Sequence, residues 1–335
     1  MPLITGRSAV LSIYQEAAAK GWVLPAFNAE NLTSLEAILS AAADFAAQTG
    51  QPALPVIVGL TRNYDHRAQA ALYTQTRNAA LGLELYLSDL RVLTGPDSPF
   101  GTLRVMLHLD HIQWDDDADL LESADLGAFS SLMYDASTLP LAENIARTRD
   151  FVQRHGAKLM VEGACDEVGE ASEGQPVRLT SPDMAEQFAR ETGVDVIVAN
   201  LGTEHRAGAT NLHYHGELAR AIRDRIGPRI CLHGTSSVAP EQVRTLFTDG
   251  VCKVNLWTAL ERDSTPAMFR ALLEHAGRVV GPETAEAWQA EGLLGTAAGT
   301  TGPLAVTHCT TTYRQTLVFE AMKHVVAGFL KLWYV

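Results

Sequence analysis

Short apolar runs, most ending in a polar residue, alternate with amphipathic stretches along most of the chain. The runs at 24–28, 53–60, 103–109, 128–134, 158–162, 194–201, 229–232 and 251–255 read as buried strands. Helical periodicity fills the intervals. It covers 35–47 behind the cap candidates Thr33 and Ser34, most of 66–87, and a segment that opens on the acidic stretch 115–119. It returns at 141–155 with Gly156 as a stop, at 183–192 behind Ser181, and at 218–226 and 241–248. The polar stretch 166–178 reads as a loop. Eight strand–helix units in about 260 residues predict a (β/α)8 TIM barrel. A doubly wound sheet would place its ligand at one switch point and would not explain polar residues after every strand. Beyond about residue 265, a Gly/Thr/Ala-rich break at 292–302 precedes a helix at 314–332. The expectation is one barrel domain over 1–335 with a C-terminal helical extension.

The run Val105–His111, V-M-L-H-L-D-H, is the densest piece of candidate chemistry. The two-residue strand period puts His108 and Asp110 on one face and His111 on the other, so the strand must end and turn if Asp110 and His111 are to serve one site. Asn28, Thr61, Asp110, His111, Asp135, Glu162, His205, His233 and Asn255 all stand at or just after strand ends, and in a barrel those ends converge on one mouth. His111, His205 and His233 follow the third, sixth and seventh strands. Three imidazoles with an open fourth position suit zinc or cobalt better than magnesium. Each histidine taken alone is equally a loop residue, and an Asp-His pair is often purely structural.

Composition narrows the function. The chain has 335 residues, 47% hydrophobic and 19% charged, with net charge −13 and no basic run, which argues against nucleic acid as a partner. The apolar runs are too short to span a bilayer, and the start M-P-L-I-T-G-R lacks a signal-peptide pattern. Cys165, Cys231, Cys252 and Cys309 are scattered and read as reduced thiols of a cytoplasmic protein.

Between about residues 10 and 262 the chain resembles the class II, metal-dependent ketose-phosphate aldolases, the fructose- and tagatose-bisphosphate group. The resemblance rests on Pro25-Ala26-Phe27-Asn28 with Asn31-Leu32, on Leu107-His108-Leu109-Asp110-His111, and on Met133-Tyr134-Asp135-Ala136-Ser137 with Leu139-Pro140 and Glu143-Asn144-Ile145. It continues through Val161-Glu162, Thr192-Gly193-Val194-Asp195, Gly202-Thr203-Glu204-His205, Leu232-His233-Gly234 and Gly250-Val251-Cys252-Lys253-Val254-Asn255. The resemblance implies that His111, His205 and His233 hold zinc or another divalent transition metal, with Asp135 supporting the metal site. It implies that Asp110 exchanges the hydroxyl proton at the bond made or broken, and that Asn255 positions the donor's enediolate. A loop acid, Glu170 or Glu173, would move the carbon-bound proton. Asn28, Thr61, Gly234, Ser236 and Thr258 join Asn255 as substrate-binding candidates. The expected partner is a small sugar-phosphate-like molecule, and the expected assembly is a homo-oligomer, dimer or tetramer.

The chain also departs from the family. Where the family's fifth strand carries a second Glu that reaches the metal, this chain has Ala164, and Glu162 on the same strand face is the candidate substitute. Arg206 replaces the Gly after the sixth-strand histidine, Thr235-Ser236-Ser237 follows Gly234 in place of a glycine-richer loop, and Trp257 stands where the family has Asp. The expectation is an aldolase whose specificity has moved away from fructose 1,6-bisphosphate. A metal-binding homologue without catalysis, and a metal-dependent sugar-phosphate isomerase or epimerase, are the alternatives.

Overall fold

The computed structural model describes residues 3–65, 67–123, 125–166, 179–203, 214–235 and 238–334. Its strands are β1 (Leu24–Asn28), β2 (Pro55–Leu60), β3 (Arg104–Gln113), β4 (Ser131–Asp135), β5 (Met160–Ala164), β6 (Val196–Val198), β7 (Ile230–Leu232) and β8 (Val251–Leu256). They close in sequence order into a parallel barrel, β8 pairing back onto β1, with helices interleaved: a TIM barrel. Every residue of β1, β2, β4, β5, β6 and β7 is buried, which is why these strands read as continuous apolar runs and not as alternating ones.

The outer layer follows the helical pattern with local differences. The helix Leu32–Thr49 starts earlier than the periodicity suggests, because Asn31 caps it in a reciprocal box with Ser34. The stretch 66–87 is not one helix. Gln69–Leu72 ends, Arg77 takes φ 59°, and Asn78 caps a new helix, Ala79–Leu93. Between β7 and β8, Pro240–Val243 is the one α-helix among the described residues, shorter than the predicted 241–248. The C-terminal helix Thr311–Trp333 packs on Leu32–Thr49 and Thr258–Glu274. It carries Trp333 and Tyr334 into the main core, where the Tyr334 hydroxyl donates to the Pro55 carbonyl at 2.8 Å. Ala276, Ala285 and Leu294 form a separate small apolar cluster. Among the described residues, no helix is long and apolar enough to cross a membrane.

β3 decides the site. The sequence predicts its end at residue 109, followed by a turn, yet the strand runs on to Gln113. Leu109 pairs with Leu132 and Ile112 with Tyr134, so Asp110 and His111 together face Met133 alone. This is a β-bulge, and His111 absorbs it with φ 47°. A left-handed residue with a side chain costs roughly 1–2 kcal/mol. The bulge, instead of a turn, is what lets two successive side chains serve one mouth.

Candidate active site

Asp110, His111 and His233 meet at the barrel mouth, each at most 5% exposed. The Asp110 carboxylate accepts two amide hydrogen bonds, from Asn28 Nδ2 on one oxygen and Asn255 Nδ2 on the other, both 2.8 Å. Asn28 ends β1 and Asn255 lies in β8, so the closing seam of the barrel grips the acid from both sides. Gly59 of β2 makes room for this, since a Cβ there would lie 2.5 Å from Asn28 Oδ1. Burial pushes the Asp110 carboxyl up, but the neighbouring imidazoles of His111, His108 and His233 outweigh it and hold the group well below the usual carboxylate range. Asp110 is therefore an ionised proton acceptor at neutral pH.

His111 Nδ1 lies 2.8 Å from Asp135 Oδ2, and its Nε2 lies 3.1 Å from His233 Nδ1. Asp135, further held by the backbone and hydroxyl of Ser137, is pulled down to about 2: burial opposes ionisation, and the hydrogen bond and charge of His111 prevail. Burial pushes His111 down, but the charges of Asp110 and Asp135 and the hydrogen bond to Asp135 raise it overall. A neutral His111 donating Nδ1–H to Asp135 would turn its Nε2 lone pair toward His233, the arrangement by which a carboxylate orients a metal-binding imidazole. The two ring planes stand at 87°. Ligand atoms of Asp110, His111 and His233 lie within 4.8 Å of one another, so the donor set fits a divalent transition ion.

A buried layer lies beneath. Glu162 Oε1 accepts from Lys253 Nζ at 2.6 Å, with both side chains fully buried. Glu162 Oε2 is 3.7 Å from His108 Nε2, and Glu162 groups with Cys231 and His233 as a second possible donor set. The structure thus brings Glu162 to His233 but not into the group that contains His111. Its partner Lys253 enters the sequence analysis only within a family motif, with no role of its own; a lysine inside an apolar strand is the signal that marks it. Asn144, on the helix Leu141–His155, donates to the Ala164 carbonyl at 2.9 Å, behind the lost family acid.

One wall of the cleft comes from loops. Tyr64 stacks flat on His111 with ring centroids 4.1 Å apart. Thr61 donates through Oγ1 to the Arg67 carbonyl and takes the Gln69 side chain on its backbone N–H. Arg67 makes a two-pronged pair with Glu30 at 2.6 and 2.7 Å, and Trp257 Nε1 donates to the same carboxylate at 2.9 Å. Thr61, Tyr64, Arg67, Gly234, Trp257 and Thr258 line the same cleft as Asn28, Asp110, His111, His233 and Asn255. The residue pattern leaves Tyr64, Arg67 and Glu30 unmarked, because loop contacts between distant strands have no local periodicity. His205, Arg206, Glu170, Glu173 and Ser236 lie outside the described residues.

The fold and the cluster define a TIM-barrel protein with an acid and imidazoles gathered at the C-terminal mouth of the barrel, where such folds carry their chemistry. The chain belongs to the class II fructose-bisphosphate aldolase family, whose sequence model matches residues 8–298. Its fold resembles three solved structures. A fructose-bisphosphate aldolase from Campylobacter jejuni is 17% identical at a TM-score of 0.73, over 100% of this chain and 98% of that one. A putative fructose-1,6-biphosphate aldolase from Coccidioides immitis is 21% identical at 0.68, over 97% and 95%. The YdjI aldolase of Escherichia coli K12 is 19% identical at 0.67, over 96% and 94%.

Proposed function

We propose that the protein is a metal-dependent class II aldolase, a carbon–carbon lyase of the aldehyde-lyase type. It makes or breaks a bond between a phosphorylated, dihydroxyacetone-type ketone and an aldehyde, with specificity moved away from fructose 1,6-bisphosphate. The observation that carries this is the Asp110 carboxylate, ionised, held by Asn28 and Asn255, and set beside converging His111 and His233. His111, His205 and His233 would hold the ion, and zinc or another divalent transition metal suits their imidazoles. When bound, such an ion supplies Lewis-acid polarisation of the ketone and stabilises enediolate charge. The chain's own residues move the protons. Asp110 takes the hydroxyl proton during cleavage and returns it during condensation. Asn255 reaches both Asp110 and the cleft, which suits it to orient the donor. Glu170 or Glu173 is the proposed base at carbon. Gly234, Ser236, Thr258 and Arg206 are the proposed phosphate contacts, through freed backbone N–H groups, hydroxyls and a guanidinium. We read the protein as a cytoplasmic homo-oligomer, as the family resemblance implies.

The test is metal-loaded protein with dihydroxyacetone phosphate and candidate aldehydes. The expected results are solvent-deuterium exchange into the ketone, carbon–carbon bond formation, and a kcat/KM for fructose 1,6-bisphosphate below roughly 10⁴ M⁻¹s⁻¹. Exchange without bond formation would favour an isomerase or epimerase. Neither exchange nor bond formation would leave a metal-binding homologue.

A further inference from the structure

Resting on the aldolase reading, we infer that the wall built by Glu30, Arg67 and Trp257 receives an uncharged, hydroxyl-bearing end of the substrate and disfavours a second phosphate. Arg67 and Trp257 face the cleft that holds Asp110 and His111. A guanidinium in that position invites the opposite conclusion, that it clamps an anion. The bonding argues against it. Arg67 commits Nε and Nη2 to the two oxygens of Glu30, the bidentate geometry a phosphate would need. Trp257 Nε1 takes a third position on the same carboxylate, so Glu30, only 13% exposed in its side chain, is fixed from two directions.

The charge count points the same way. The paired Arg67 and Glu30 cancel, and Glu261, in the helix that follows Trp257, adds a carboxyl close enough to feel the charges of both. The net charge there is therefore zero or negative. A phosphate dianion placed there would have to displace Glu30 from Arg67, leaving a half-buried carboxylate beside it, and like-charge juxtaposition of this kind is a standard means of rejecting a ligand. The lining that remains is Tyr64, Trp257, Thr61 and the stem of Arg67. Apolar faces with a few hydroxyls and fixed polar groups suit a polyhydroxyl chain. The Arg67 guanidinium centre, 5.3 Å from the Trp257 ring centroid, keeps that ring in place.

The experiment compares condensation of dihydroxyacetone phosphate with glyceraldehyde and with glyceraldehyde 3-phosphate, on metal-loaded wild type, Glu30→Gln and Arg67→Gln. Wild type should favour the neutral aldehyde in kcat/KM by at least about tenfold. Glu30→Gln keeps an acceptor for Trp257 but frees the Arg67 charge, so the ratio should swing toward the phosphorylated aldehyde by about tenfold. Arg67→Gln should swing it further the other way. A merely structural role for either residue would lower both aldehydes together, and an unchanged ratio overturns the inference, as does a wild type that prefers the phosphorylated aldehyde. Calorimetric titration with inorganic phosphate gives a readout independent of catalysis. Glu30→Gln should bind phosphate about tenfold more tightly than wild type. A protein inactive with both aldehydes but showing that gain would refute the aldolase reading and uphold the wall, whereas equal phosphate affinity would refute the wall.

Discussion

The barrel mouth and the loop wall lie in one cleft and are built on different principles. At the mouth, Asp110, His111, Asn28 and Asn255 stand on strands, and each is fixed by a partner from another strand. In the wall, Glu30, Arg67 and Trp257 stand on or beside the segments that follow β1, β2 and β8, and they hold one another. The mouth gathers an acid, two imidazoles and two amides. The wall carries Trp257 in place of the family's Asp, with Arg67 and Glu30 around it. On the proposed function, reaction type rests in the inner ring and specificity in the loop contacts above it, the division that lets one barrel serve different substrates.

The largest effect is expected at the imidazoles proposed to bind the metal. His205→Ala should remove most of the bound divalent ion and nearly all turnover, since a three-histidine site loses a third of its ligands. Elemental analysis showing full occupancy in that variant would remove His205 from the site. Next comes Asp110→Ala, which should retain the metal and lose roughly 10²–10⁴-fold in rate. If metal content falls in parallel, Asp110 instead orients the histidines. Metal content and turnover measured on one preparation separate these outcomes.

The smallest expected effect belongs to the wall. Burial first, and then the charge of Glu30, push Glu261 up to about 7 from 4.5, with Arg67 opposing. A carboxyl whose folded-state pKa is raised binds its proton more tightly in the folded state. Stability should therefore fall as pH rises from about 4.5 to about 7 and then level off. Glu261→Gln should cancel this dependence and stabilise the protein at pH 8 by about 1–2 kcal/mol after screening. Denaturant midpoints of wild type and variant at pH 5 and pH 8 measure it, and a gain of equal size at both pH values would show that Glu261 acts through packing instead.

Much of the fold is legible in the residue order. Eight buried strands announce themselves as apolar runs, and Ser181, Gly156 and the polar strand ends mark where elements start and stop. Individual boundaries are less legible. Asn31 outcompetes Thr33 and Ser34 as a cap because it engages Ser34 reciprocally, which periodicity alone does not reveal. The candidate mouth is legible through residue type, since Asp110, His111, His233, Asn28 and Asn255 all stand at or near the C-terminal ends of the apolar runs. The wall is legible only at Trp257, where the chain departs from its family.

By itself the sequence determines the architecture and the family, and it marks Asp110, His111 and His233 as candidates. Strand runs, helical periodicity and short motifs are encoded within a few neighbouring residues. Only the tertiary structure decides that Asp110 and His111 face one mouth. On a regular strand they would point apart, and a bulge set against Met133 of β4, with His111 forced to φ 47°, turns them together. It likewise decides that Arg67 is already paired with Glu30. That pair joins loops 37 residues apart, and the indole completing it comes from 227 residues away, so no local pattern can encode it.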